Sequence, residues 1–225
     1  MKVIVFDLGG TLMEFVNMPP SWVDYYETGF EAIAKAFVCN IPQEDIALSC
    51  EMMKSFNPRI HYREIEYSPE YIFEKSLVHW NVTIDIEHAV KAFFGAFGLT
   101  AVIYDDSIEM LEFLKAKGCI CCALTDIPSG MPDAYFKGLI TDLLGHIDFY
   151  VSSQSCGYRK PNINGITQIA EKYDVRLCDL IFVGDEEKDK RLAETIGCTF
   201  YLIDRKNKNS DADICNMADL KKLLT

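Results

Sequence analysis

The stretch Val3-Ile4-Val5-Phe6-Asp7-Leu8-Gly9-Gly10-Thr11 decides the fold. Its first four residues are all apolar and read as a strand buried on both faces. That strand runs straight into a carboxylate, two glycines and a hydroxyl. Two later apolar runs end the same way: Cys119–Leu124 closes in Leu124-Thr125-Asp126, and Leu180-Ile181-Phe182-Val183 runs into Gly184-Asp185, with Asp189 four residues on. Arg159-Lys160-Pro161 falls between them. Carboxylates at the carboxyl ends of three buried strands, with a lysine between, are the layout of an open α/β sheet around one crevice.

Outward from these motifs the chain alternates strand and helix. Helical periodicity covers Asp106–Lys117, Pro132–Leu144, Pro161–Tyr173 and Glu187–Ile196, and short strands are expected at Ile147–Val151 and Thr199–Ile203. Such alternation implies a parallel sheet with right-handed crossovers. Between the first strand and this region, apolar residues recur at three- and four-residue spacing. They mark four helices: one from Ser21, after Pro19-Pro20, one after Pro42, one from Ser68-Pro69, and one over Asp85–Phe97. No strand signal interrupts them, so about eighty residues form a helical insert. Arg205-Lys206-Asn207-Lys208-Asn209 reads as a surface loop.

Composition narrows the function classes. At 225 residues with 49% hydrophobic and 25% charged residues, the chain can bury a sizeable core. A formal charge of −12 argues against nucleic acid as a partner, and a site for an anionic substrate must bring its own cation. No apolar run approaches the ~20 residues of a membrane span. The first residues lack the basic and apolar regions of a signal peptide, so a cytoplasmic location is expected. Nine cysteines include Cys119-Ile120-Cys121-Cys122. Strand alternation sends Cys119 and Cys122 to opposite faces, which spoils a zinc knuckle or a disulfide and leaves buried thiols in a reducing compartment.

The four motifs in order, each at its strand end, with a helical insert after the first, resemble the haloacid dehalogenase-like hydrolase superfamily over essentially the whole chain. The resemblance implies a Rossmann-like α/β core of residues 1–14 and 98–225 and an inserted α-helical cap of residues 15–97, of the C1 type. It also implies hydrolysis of a small phosphorylated metabolite through an aspartyl-phosphate. Asp7 would be the nucleophile. Mg²⁺ would be held by Asp7, the Gly9 carbonyl and Asp185, with Asp189 on a metal-bound water, a hard-oxygen set that suits this ion. The competing reading of Asp185 and Asp189 is helix N-terminal capping. Thr125 would donate to a phosphoryl oxygen, and Gly9-Gly10 would let the backbone approach it. Lys160 would offset the repulsion between Asp7 and the phosphoryl group, with Arg159 as the alternative and Pro161 at a helix start. Asp126 follows Thr125 with its orientation open. Arg59, His61 and Arg63, on a loop between insert helices, are candidates to face the substrate.

One residue departs from the pattern. Gly9 stands where most phosphatases of the superfamily carry an acid–base aspartate, a group whose help is worth about 10²–10⁴ in rate. The enzyme would then act on esters with good leaving groups, such as aryl or acyl phosphates, or use Glu14, Asp126 or a cap side chain instead. Alternatively it has lost catalysis and binds phosphate or a partner. Relatives that cleave carbon–halogen or carbon–phosphorus bonds also lack that aspartate. The former need no metal, and the latter need a cap lysine, for which Lys35, Lys54 and Lys75 are available.

Overall fold

A computed structural model describes residues 2–16, 18 and 21–224. Five strands form one parallel sheet: β1 (Val3–Phe6), β4 (Ile120–Thr125), β5 (Phe149–Ser152), β6 (Ile181–Gly184) and β7 (Thr199–Leu202), in the order β5-β4-β1-β6-β7. β2 (Met13–Val16) and β3 (Thr100–Ile103) pair separately as an antiparallel ribbon. This ribbon was not expected from the sequence. Each of its strands is four residues long and only partly buried, so neither shows a clean period.

β1 is central and fully buried, as an apolar run without alternation requires. Its side chains still divide by parity. Ile4 and Phe6 enter one hydrophobic cluster, and Val3 and Val5 enter the cluster on the opposite face. The cysteine run divides likewise, Cys119 and Cys121 to the first face and Cys122 to the second, and all nine cysteines are free thiols.

Helices cover both faces. α5 (Asp105–Ala116) and α11 (Met217–Leu224) pack together on the first face, and α9 (Asn164–Tyr173) and α10 (Glu187–Ile196) lie on the second. The expected helix over 132–144 is broken into α6 (Asp133–Leu139) and α7 (Thr141–Leu144). Gly138 and the β-branched Ile140 and Thr141 weaken helix there, and the Thr141 hydroxyl turns back to the Lys137 and Gly138 carbonyls. A single turn, α8 (Ser153–Cys156), follows β5. α9 begins at Asn164 rather than Pro161, and Lys160–Pro161, a cis peptide, lies in the loop before it. None of these helices is long and apolar enough to cross a membrane, among the described residues.

Between β2 and β3 lie a 3-10 turn (Trp22–Tyr25), α1 (Tyr26–Ala36), α2 (Gln43–Ser55), α3 (Pro69–Ser76) and α4 (Ile86–Gly95). Pro19-Pro20, expected to precede this first helical segment, lie outside the described residues. Ser68 caps α3 and Asp85 caps α4, each accepting from a first-turn N–H. α1, α3 and α4 close on a cluster of rings: Phe93 has Phe30 and Phe73 each 5.1 Å away, edge-on.

Gly29 on α1 sits against this cluster. A Cβ there would lie 2.4 Å from the Phe93 ring. On an exposed helix Gly→Ala gains about 1 kcal/mol, so the sign tests the contact. Gly29→Ala is expected to lower the unfolding free energy by about 1–3 kcal/mol through overpacking. Gly95→Ala, with open space at its Cβ, is expected to hold or raise it. Urea titration of the two variants checks the contrast.

Candidate active site

The parallel register carries three motifs to one edge. Phe6 pairs with Ala123 of β4 and with Val183 of β6, and the Asp7 N–H donates to the Val183 carbonyl at 2.9 Å. Asp7 is therefore level with Leu124 and Gly184, and Thr125, Asp126 and Asp185 follow at the same rim. A crevice of about 1130 Å³ opens above them, walled on its other side by the insertion.

Lys160 is the hub. Its Nζ is 2.7 Å from Asp7 Oδ1, 2.7 Å from Asp189 Oδ1 and 3.2 Å from the Leu124 carbonyl. The side chain is 1% exposed. Burial alone would lower its pKa, but the charges of Asp189, Asp7 and Asp126 outweigh that and hold the ammonium above its ordinary range. Arg159, the alternative, points away: its guanidinium is ion-paired with buried Glu66 of the insertion and donates to the Ile127 carbonyl at 3.0 Å.

Asp7, Asp185 and Asp189 present oxygens within 4.8 Å of one another. Asp189 serves two purposes, since its Oδ2 also accepts from the Glu186 N–H at 3.1 Å in a capping box at the start of α10. Its Oδ1 meets the Lys160 ammonium at 2.7 Å. Asp185 Oδ1 is buried with no partner at all. Burial first, then the charges of Asp7 and Asp189, raise the Asp185 carboxyl well above the carboxylate range. Asp189 is also raised, by burial and by Asp7, against the pull of Lys160. Orphaned hard oxygens with mutually raised affinity for protons fit a small hard cation.

Gly10 closes the floor. It has φ +75°, and a Cβ there would lie 2.1 Å from Asp185 Oδ2, so both conformation and space demand glycine. Gly9, by contrast, is exposed, and a Cβ on it would meet nothing within 4 Å. Thr125 is buried at the crevice wall.

Asp126 turns partly from the crevice. Its oxygens accept from the Lys160 N–H at 3.1 Å and pair with Lys188 at 3.2 Å. Burial is overcome by Lys188, Arg159 and Lys160, which hold it below the usual range. Lys188, which sequence reasoning passed over, pairs with Glu186 as well and lines the crevice. Its place in the first turn of α10, between Asp185 and Asp189, was the available signal. Arg59 reaches from the insertion to Glu186 at 2.6 Å across the crevice mouth. Arg63 is held by the Phe56 carbonyl, Ser129 and Glu66. His61 is exposed and does not line the crevice. The stretch Arg205–Asn209 is more than a surface loop: Arg205 grips Asp106 with 2.8 Å contacts and the Thr11 carbonyl at 2.7 Å, and Lys206 and Lys208 line the crevice.

A family model for haloacid dehalogenase-like hydrolases matches residues 1–197. The chain belongs to the haloacid dehalogenase-like hydrolase family. Solved members share its fold across nearly their whole length at low identity. A haloacid dehalogenase-like (HAD) phosphatase from Thermococcus onnurineus is 17% identical with a TM-score of 0.65, covering 100% of this chain and 98% of that one. A predicted phosphoglycolate phosphatase from Haemophilus somnus is 19% identical, TM-score 0.60, covering 100% and 98%. A putative β-phosphoglucomutase from Thermotoga maritima is 14% identical, TM-score 0.60, covering 100% of both chains. No curated protein matches the sequence.

The raised Asp185 carboxyl has a signed consequence. A carboxyl whose folded pKa lies above its unfolded value of ~3.9 leaves stability intact at lower pH and removes it as pH rises toward the folded value. In chelator, Asp185→Asn is therefore expected to stabilise the fold at pH 7–8 by roughly 1–3 kcal/mol. The gain should vanish below pH ~4, where both side chains are neutral. Urea unfolding of both proteins across that range checks it.

Proposed function

We propose that this hydrolase is a Mg²⁺-dependent phosphatase that removes phosphate from a small metabolite through an aspartyl-phosphate on Asp7. The observation that carries the reading is the buried Lys160 ammonium, 2.7 Å from both Asp7 and Asp189, beside an unpartnered Asp185 oxygen. The residues fit a hard divalent cation held by Asp7, Asp185 and the Gly9 carbonyl, with Asp189 behind them. When bound, it would neutralise phosphoryl oxygens and so lower the repulsion an anionic nucleophile meets.

This chain's own groups supply the rest. Lys160 is fully ionised and fixed, so its charge is present before substrate arrives and needs no reorganisation. It holds one oxygen of Asp7, leaving the other to attack phosphorus. The Thr125 hydroxyl and the Gly10 backbone line the floor on which phosphoryl oxygens rest. Attack forms the Asp7–phosphorus bond and breaks the ester bond; water attack at phosphorus then releases phosphate and restores the carboxylate. Asp126 acts indirectly, by fixing Lys160 and Lys188. Arg59 and Arg63 shape the mouth, each tied to protein groups. The helical insertion, residues 15–97, serves as the cap.

Two alternatives are disfavoured. Carbon–phosphorus cleavage through a cap lysine lacks its lysine, because Lys35, Lys54 and Lys75 do not line the crevice. Dehalogenation has no use for the three-carboxylate cluster.

Acetyl phosphate, which needs no proton on its leaving group, is the substrate for the test. Hydrolysis is expected to need Mg²⁺, to stop with chelator, and to fall at least ~10³-fold in Asp7→Asn. Chelator-insensitive halide release from a 2-haloacid, or activity retained in Asp7→Asn, would contradict the assignment.

A further inference from the structure

The crevice has two chemically different walls. Near Asp7 it is charged. Another part of its lining is aromatic: Phe15 on β2, Trp22 in the 3-10 turn, Phe94 on α4 and Phe136 on α6. Trp22 stands edge-on to Phe15 with ring centres 6.5 Å apart, and Phe136 does so at 6.1 Å on the other side. Phe15 and Trp22 are only half-buried, so ring surface is left facing the crevice. Its volume of about 1130 Å³ exceeds what a two- or three-carbon phosphate fills.

The second observation concerns what could protonate a leaving group. Position 9, two residues beyond Asp7, opens on the crevice and carries no side chain. The other lining carboxylates outside the three-carboxylate cluster are mostly committed. Asp126 and Glu186 hold Lys188, Glu186 also holds Arg59 at 2.6 Å, and Glu187 faces Arg191 at 3.3 Å. Asp204 accepts from N–H groups of its own loop, that of Lys206 at 2.9 Å. Glu14 has Lys206 as its ion-pair partner, at 3.8 Å. It is hydrogen-bonded to Tyr104, the residue that follows β3.

We infer that the substrates are aryl phosphomonoesters, with phosphate at Asp7 and the aromatic body against Phe15 and Trp22, which Phe136 backs from the core. This rests on the phosphatase reading and names its substrate class. Asp7 attacks phosphorus, the phosphorus–oxygen bond breaks, and the phenolate leaves with the electron pair and takes its proton from water. A phenol ionises near pH ~10, so its anion leaves without help that an aliphatic alkoxide needs. Ring stacking adds affinity that an alkyl body forgoes.

The test uses the Mg²⁺-loaded protein with 1-naphthyl phosphate, a series of substituted phenyl phosphates, glycerol 3-phosphate and acetyl phosphate. We expect kcat/KM for 1-naphthyl phosphate to exceed that for glycerol 3-phosphate at least ~10²-fold, and the phenyl series to fall steeply as the phenol becomes a weaker acid. Trp22→Ala and Phe15→Ala should each lower the naphthyl-to-acetyl ratio of kcat/KM about tenfold. Gly9→Asp, at an exposed position with open space, should flatten the phenyl series and raise glycerol 3-phosphate turnover by ~10² more than that of the aryl esters. A flat series, with alkyl turnover that Glu14→Gln or Tyr104→Phe abolishes, would overturn the inference by revealing a proton donor. An unchanged naphthyl-to-acetyl ratio in both aromatic variants would overturn it by placing the ring elsewhere. Neither result touches the phosphatase reading while acetyl phosphate turnover still needs Mg²⁺ and Asp7. No turnover of any ester would fell both.

Discussion

Everything at the sheet's carboxyl edge depends on one buried ammonium. Four carboxylates, Asp7, Asp126, Asp185 and Asp189, meet at this edge, and Lys160 is the buried cation in direct contact with two of them. Burying a charge without a partner costs several kcal/mol, so the loop that delivers Lys160 has to be held in place. It is held from two directions. Asp126 accepts the Lys160 N–H from the sheet side. From the insertion, Glu66 binds Arg159, while the Glu64 carbonyl takes the Arg159 N–H at 2.7 Å and its side chain takes Asn162 at 3.0 Å. Arg159 and Lys160 therefore divide the work: the first fastens the insertion to the loop, and the second neutralises the crevice floor.

That division shows how an acidic chain gathers cations at one crevice. The net charge of −12 would repel an anionic substrate at long range. Cations are gathered at the crevice instead, with Lys160 on the floor, Lys188 on the wall, and Arg59, Arg191, Lys206 and Lys208 at the lip. The insertion contributes to this arrangement as much as to the walls. Its loop residues Arg59, Arg63, Glu64 and Glu66 each bond to the core, so the helical insert meets the sheet through polar groups at the mouth and through rings deeper in.

The core elements were legible because their signals are local. The Val3–Phe6 run, the apolar strands at 120–125 and 181–184, and the four insert helices follow from periodicity that neighbouring residues enforce on one another. The β2–β3 ribbon and α11 were not legible. Their short segments become regular only by pairing with residues more than eighty positions away, as Met13 does with Ile103, or by docking on a distant helix, as α11 does on α5. Of the site, the residues at strand ends could be named in advance, since a polar residue after an apolar run marks a strand's end. Glu186 and Arg205 could not, for their roles depend on distant partners, Arg59 and the Thr11 carbonyl.

The sequence alone determined the strand–helix alternation, the place of the insert and the identity of Asp7, Lys160 and Asp185 as residues to watch, because each is written within a few neighbouring positions. Tertiary structure decided which of two adjacent cations faces Asp7, since that choice turns on where Glu66, over ninety residues earlier, presents its carboxylate. It also decided the direction of Asp126 and the aromatic lining of the crevice, assembled from four separate segments. Such contacts join residues that the chain keeps far apart, and no local pattern encodes the distance between them.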